Sequence, residues 1–198
     1  TFLKDKMHLD VSASYVIQST HNYINQGIYS NPLTAVYLYP RGESWKYAKT
    51  YEVYDPERNI NVQNWEWMGK GGLEWDNPYW TTYRVRRENS RKRYMLNASL
   101  TYDILDWLKL TGRVRVDNSV NKGDTKRYAT GNTTLTEGSR SGYYGHNESS
   151  DEQTYADVLL LMDKRFGKDW TVNANLGASI SDMRWHSFGI SGGLREDG

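Results

Sequence analysis

The chain of 198 residues contains no cysteine, four prolines and only three phenylalanines. The absence of cysteine rules out disulfides and thiolate metal sites. A net charge of +1 leaves no field of one sign to attract nucleic acid or an anionic membrane. Mean hydropathy is −0.82, and no stretch approaches the roughly 20 apolar residues of a membrane-spanning helix. A protein that crosses a membrane with β-strands remains possible, because its lipid-facing residues occupy alternate positions and leave the mean hydropathy low.

Tyrosine and tryptophan stand out against the scarce phenylalanine. The chain has sixteen Tyr and eight Trp. These side chains suit places where one end of the ring is dry and the other is wet. Membrane interfaces, sugar-binding surfaces and protein interfaces all meet that description, and composition alone leaves the three open.

Five windows of the sequence alternate between apolar and polar residues. In the first, Met7, Leu9 and Val11 alternate with His8 and Asp10. Period two over about ten residues predicts strands. Ordinary strands have about 5 to 6 residues, whereas membrane-spanning strands need about 9 to 11. The five predicted long strands are 7–17, 93–104, 107–118, 153–163 and 170–181.

The predicted connections alternate between short and long. Tight turns near 105–107 and 164–169 lie at one end of the strands, and long loops near 19–91 and 119–153 lie at the other. We therefore predict an all-β fold over 1–198, an antiparallel meander of long strands. This arrangement is typical of an outer-membrane β-barrel with periplasmic turns and extracellular loops. A soluble antiparallel sandwich with one buried face is the alternative. Since bacterial barrels start at about eight strands, the membrane interpretation predicts a piece of a larger barrel.

Several short motifs follow one another in the order found in a known family. The motifs are Asn31-Pro32, Tyr39-Pro40-Arg41-Gly42, Tyr54-Asp55-Pro56, Asn77-Pro78-Tyr79-Trp80, Arg93-Tyr94-Met95-Leu96-Asn97-Ala98-Ser99-Leu100, Asp106-Trp107-Leu108 and Tyr155-Ala156-Asp157. On these motifs the chain resembles the SusC/RagA family of TonB-linked (TonB-dependent) outer-membrane transporters. The resemblance covers nearly all 198 residues and is most specific around 77–116.

The resemblance implies import across the Gram-negative outer membrane. Members of the family take up glycans, or in some cases peptides, with a SusD-like surface lipoprotein as lid and energy passed through the TonB complex. No plug or TonB-contacting segment is visible here, so we expect a fragment of the barrel region. Outer-membrane lipid or lipopolysaccharide and an oligosaccharide or peptide cargo are the other expected partners. The alternative function is a soluble carbohydrate-binding β-sandwich module.

An aromatic cluster in the longest predicted loop is the first candidate site. It consists of Trp65, Trp67, Trp75, Tyr79 and Trp80. One interpretation is a platform for sugar rings or for the lid lipoprotein. The other is a small hydrophobic core that orders the loop, because some seventy solvated residues would cost too much conformational entropy.

A basic run is the second candidate site. It consists of Arg84, Arg86, Arg87, Arg91, Lys92 and Arg93. Three roles for this run remain possible: contact with lipopolysaccharide phosphates, contact with acidic groups on neighbouring loops, or a plain solvated rim. Nucleic acid is disfavoured by the near-neutral charge and by the lack of an RNA-binding motif. The four histidines lack metal-ligand spacing, and no acid/base pair can be named, so we predict no enzyme activity, metal or cofactor.

Overall fold

The computed structural model describes residues 6–24, 26, 27, 29, 31–66 and 75–196. Within them the chain is mostly antiparallel β, with a minor helical share. In chain order the elements are β1 (Met7–His21), α1 (Pro32–Leu38), α2 (Trp45–Lys49), β2 (Glu52–Asp55), β3 (Ile60–Gln63), α3 (Pro78–Arg84), β4 (Val85–Leu105), β5 (Leu108–Arg127), a 3-10 helix (Thr133–Thr136), β6 (Tyr143–Phe166) and β7 (Trp170–Gly193).

The long strands form one five-stranded sheet in the order β1-β4-β5-β6-β7, and β2 pairs with β3. Hydrogen bonds at both ends fix the β1–β4 register. The Asp103 N–H donates to the Lys6 carbonyl over 2.8 Å, and the Asn22 N–H donates to the Arg87 carbonyl over 2.6 Å. Gly167, with φ of +65°, occupies the turn between β6 and β7, where a left-handed backbone favours glycine. The predicted antiparallel meander of long strands is confirmed.

The strands run beyond their predicted bounds into both predicted loops, 19–91 and 119–153. β1 continues to His21 and β4 already begins at Val85. β5 continues to Arg127 and β6 begins at Tyr143, so that 128–142 joins them. Alternation marks a strand only where one face is apolar, whereas ladder hydrogen bonds form regardless of the side chains. The periodicity therefore ends before the strands do.

The chain divides into two compact units. The strand unit comprises Thr1–Gln18, Arg91–Asn121 and Ser149–Ser187. The loop unit comprises Ser19–Ser90, Lys122–Glu148 and Phe188–Gly198. Each unit is described by itself below.

The strand unit carries its apolar side chains on the exterior. Leu176 and Trp170 are both 73% exposed, and Val11 is 67% exposed. The exposed large apolar residues on the alternating positions are Leu9, Val11, Tyr15, Ile17, Tyr94, Leu96, Leu100, Tyr102, Leu110, Val114, Val158, Trp170, Val172, Leu176 and Ile180. Among the described residues, none of the buried apolar side chains belongs to this unit.

The loop unit has an ordinary hydrophobic core. Its buried apolar residues are Ala35, Ala48, Trp65, Trp80, Val85 and Ala129. Three short helices surround this core, and each begins at a residue whose side chain accepts a backbone N–H: Asn31, Ser44 and Asn77. Such N-caps satisfy donors that the first helical turn leaves free. None of the described helices has the length and apolar character needed to cross a membrane.

Candidate functional site

The polar face of the strand unit is lined by ion pairs. The Arg113 Nε donates to Asp157 Oδ1 over 2.9 Å, and the Arg93 Nε donates to Asp117 Oδ1 over 2.8 Å. Both acids come from a neighbouring strand, because β4, β5 and β6 are consecutive in the sheet. Side chains that are directly or diagonally opposite on the same face of paired strands lie about 5 to 8 Å apart, within reach of an Arg–carboxylate contact.

A second set of charges follows at the turn end of this face. Lys109 Nζ lies 3.2 Å from Asp103 Oδ1, and His8 Nε2 lies 3.8 Å from Asp103 Oδ2. The Asn97 amide donates to the Ser12 hydroxyl over 3.2 Å. Charged groups in apolar surroundings are costly even when they are paired. This face is therefore built for contact with water or with other polar groups.

An open hollow of about 570 Å³ lies along the same face. Its lining residues come from β1, β4, β5 and β6: Asp10, Val11, Ser12, Asn97, Ala98, Ser99, Arg113, Arg115, Tyr155 and Asp157. The polar members supply hydroxyl, amide, carboxylate and guanidinium groups, which together can bind polyhydroxylated or peptide-like molecules. Because Asp157 is occupied by Arg113, the hollow does not offer a free carboxylate at that position.

The described members of the aromatic cluster predicted from the sequence make separate ring contacts in the loop unit. Trp65 is 6% exposed and stacks on Tyr39 and Tyr47, with ring centroids 5.8 and 6.2 Å away. Tyr79 lies 6.1 Å from the Trp45 ring, whose Nε1 donates to the Tyr79 hydroxyl over 3.1 Å. Ring contacts of the described cluster members thus run to tyrosines and a tryptophan elsewhere in the loop unit, including Tyr83, 6.5 Å from Tyr79.

The remaining members of the cluster differ in their surroundings. Trp80 is fully buried at 1% exposed, and Trp75 is half-buried. Trp67 lies outside the described residues. Burial of Trp65 and Trp80 favours the small-core interpretation for these two residues, because a platform for sugar rings needs accessible ring faces.

Asp76 is a buried acid that sequence reasoning did not single out. Its Oδ1 accepts a hydrogen bond from Gln63 Nε2 and another from the Asn132 N–H, both over 2.9 Å. Burial raises the pKa of the Asp76 carboxyl, and these hydrogen bonds and the charge of Arg127 offset only part of that rise. Asp76 therefore connects β3 with the segment that follows β5.

Asn77 extends this buried polar network. Its Oδ1 caps α3 by accepting from the Tyr79 N–H over 2.9 Å, and its Nδ2 donates to the Ala48 carbonyl over 2.9 Å. The Asn77 N–H donates to Gln63 Oε1 over 2.7 Å. The local signal for the cap was present in the sequence, since an Asn followed by Pro at the first helical position is a typical helix start.

The basic run places its six cations in different environments. Arg84 makes a two-point ion pair with Glu52, at 2.7 and 2.9 Å. Burial lowers the pKa of Arg84, but the hydrogen bond and charge of Glu52 outweigh burial and the pKa is raised overall. Arg93 is paired with Asp117, as described above. Arg87 is buried, at 7% exposed. The exposed cations of the run are Arg86, Arg91 and Lys92.

No group of His, Asp or Glu side chains in the described part of the chain could hold a metal ion. Neither a family model nor a curated protein matches this sequence.

Proposed function

We propose that this chain is part of the β-barrel of a TonB-linked outer-membrane transporter that resembles the SusC/RagA family and imports glycans or peptides. One observation carries the proposal. The long strands expose an apolar face, while the opposite face of the same strands holds ion pairs. A strand that separates lipid from a wet lumen needs these two faces.

The exposed apolar face is too large for a monomer in water. Fifteen large apolar side chains lie on it, and monomeric soluble proteins rarely expose contiguous apolar patches above a few hundred Å². Contact with lipid would remove this surface from water, which is favourable by about 25 cal/mol per Å² of apolar surface. A soluble sandwich would cover the same face with a second sheet, and the described residues supply no such layer.

Aromatic residues at the ends of the apolar face support the same proposal. The β1–β4 register places Tyr15 opposite Tyr94 beyond one end of the Leu and Val rows. Trp170 begins β7 at the other end. Trp107 lies there too, in the turn before β5, with Lys164 Nζ 4.1 Å from the centre of its ring. Aromatic side chains at both levels of a barrel form the girdles that meet the lipid headgroups.

The partners follow from the resemblance. They are a SusD-like surface lipoprotein as lid, the TonB complex, outer-membrane lipid or lipopolysaccharide, and an oligosaccharide or peptide cargo. The exposed cations Arg86 and Lys92 occupy the same alternate positions of β4 as Tyr94 and Leu96. These two residues are the ones we propose for contact with lipopolysaccharide phosphates.

Folding of the full-length barrel that contains this chain, with and without lipid, tests the proposal. We expect the parent to fold in detergent or lipid vesicles and to aggregate from buffer alone. A soluble, monodisperse and cooperatively unfolding parent in buffer would instead favour the carbohydrate-binding sandwich.

Two neighbouring substitutions then test which face meets lipid. Leu100 and Ser99 are adjacent on β4 and point to opposite faces. Leu100→Arg places a charge in hydrocarbon and is expected to cost about 2–4 kcal/mol of folding free energy in vesicles. Ser99→Arg places the same charge in the polar hollow, with Asp10 and the Arg113–Asp157 pair in its lining, and we expect a much smaller loss. Equal tolerance of both arginines, or a larger loss for Ser99→Arg, would contradict the assignment of the faces.

A further inference from the structure

A second hollow, about 490 Å³ in volume, lies within the loop unit and carries positive charge. Its lining residues are Tyr23, Arg87, Thr125, Arg127, Leu135, Tyr143, Gly145, His146, Asn147, Gly189, Ile190 and Ser191. The list contains two arginines and neither Asp nor Glu. Small residues on the strands leave the space: Thr125, Gly145, Gly189 and Ser191.

Arg87 is the unusual group in this hollow. The side chain is 7% exposed, yet no carboxylate among the described residues pairs with it. Within the described part of the chain its guanidinium makes no hydrogen bond, and the guanidinium carbon lies over the Tyr23 ring, 5.8 Å from the ring centre. A guanidinium that stacks on a ring keeps its in-plane N–H edge available, and that edge matches the two oxygens of an oxyanion.

Arg127 adds a second positive charge beside Arg87. The pKa of Arg127 is lowered first by burial and then by the charge of Arg87, while the Asp76 carboxylate raises it. Burial likewise lowers the pKa of Arg87. These two guanidinium groups repel each other in a partly buried hollow. An anion bound near both of them would offset that repulsion.

We propose that this hollow binds an oxyanion, such as a carboxylate or a sulfate group carried by a small molecule, through Arg87 with help from Arg127. The inference stands apart from the proposed transport function, because binding is measured on the full chain without any transport. Galacturonate and galactose form the matched pair of probes, since they differ by a carboxylate in place of a hydroxymethyl group. Inorganic sulfate is the third probe and represents a free anion.

The measurement is calorimetric titration of the full chain, folded in an uncharged detergent without sugar headgroups, at constant ionic strength. Constant ionic strength separates a specific site from general screening. We expect saturable binding of galacturonate or sulfate and at least tenfold weaker binding of galactose. Tighter binding of galacturonate would identify an acidic saccharide as the ligand class, and tighter binding of sulfate a free anion. Galactose binding as tightly as galacturonate, or no saturable binding of either anion, would overturn the proposal.

Matched variants locate the site. Arg87→Gln should weaken anion binding at least tenfold, whereas Arg91→Gln removes an equal charge from an exposed position of the same strand and should change it less than twofold. If Arg87→Gln does not fold, Gly189→Leu replaces it. A Cβ at Gly189 meets only the His146 carbonyl oxygen, at 3.8 Å, so the added side chain should block the hollow while keeping both arginines. Unchanged affinity in Arg87→Gln or in Gly189→Leu would place the anion elsewhere and refute the site.

Discussion

The strand unit and the loop unit differ in whether they bury apolar side chains among the described residues. In the strand unit the apolar residues are exposed and the acids are paired with arginines, as in Asp157 with Arg113. In the loop unit Trp65 and Trp80 are buried, and polar groups such as Asn77 hold the helices around them. The loop unit therefore has an apolar core of its own, whereas the described residues of the strand unit leave its apolar face uncovered. The environment of each unit has to be determined separately.

The largest effect we expect comes from the same substitution in each unit. Trp80→Ala removes a fully buried ring and should cost about 3–5 kcal/mol in the free energy of unfolding. Trp170→Ala removes a ring that is exposed and should cost less than about 1 kcal/mol. Urea titrations of the full chain in detergent, followed by circular dichroism, measure both.

The comparison between the units depends on the difference between these two variants. An equal loss for Trp170→Ala would mean that this ring is as well covered as Trp80 in the folded chain in detergent. The contrast between a covered and an uncovered unit would then be wrong.

A smaller effect is expected from two helix caps in the loop unit that share one local motif. Asn31 and Asn77 both precede a proline and both accept the N–H of the residue two positions later. Asn77→Ala also removes the donor to the Ala48 carbonyl, inside the unit. We expect a loss of about 1 kcal/mol for Asn31→Ala and of about 2–3 kcal/mol for Asn77→Ala, because a buried acceptor is left unpaired.

The two cap variants are compared in the same urea titrations. Similar losses would show that the buried hydrogen bond to Ala48 contributes little. The loop unit would then be held mainly by its apolar core rather than by its polar network.

The sequence predicted the strand unit better than the loop unit, for a physical reason. Alternation from Met7 to Ile17 is a local signal that results from one face being apolar, and it predicted the meander. The partners of the loop core are far apart in the chain: Trp65 packs on Tyr39 and Tyr47, and Asp76 is bonded to Asn132, 56 positions away. A local periodicity in the sequence cannot predict contacts between residues so far apart in the chain.

The two candidate sites show the same limit. The sequence shows both the density of aromatic residues in 65–80 and the basic run. It does not show which of these residues are buried, because burial depends on the fold around them. Arg86 and Arg87 are neighbours of one type, and only the pleat of β4 separates the exposed cation from the buried one.

The smallest expected effect is a change in pH dependence within the loop unit. The folded-state pKa of Asp76 is raised above its usual value of about 3.9, first by burial. Between the usual value and the raised one, the folded chain binds a proton that the unfolded chain does not. The contribution of Asp76 to stability therefore increases as the pH falls through the raised pKa, and decreases as the pH rises through it.

Asp76→Asn removes this titration and keeps an oxygen that can accept the bonds from Gln63 and the Asn132 N–H. Other carboxylates titrate in both proteins and cancel in the difference. We expect the stability of Asp76→Asn relative to the parent to rise as the pH increases from about 4 through the raised pKa of Asp76, measured by urea unfolding at each pH. If the stability difference between Asp76→Asn and the parent stays constant or falls as the pH rises, burial does not disfavour the ionised form of Asp76. The loop unit would then accommodate an ionised acid in its interior as readily as the strand unit accommodates its paired ones.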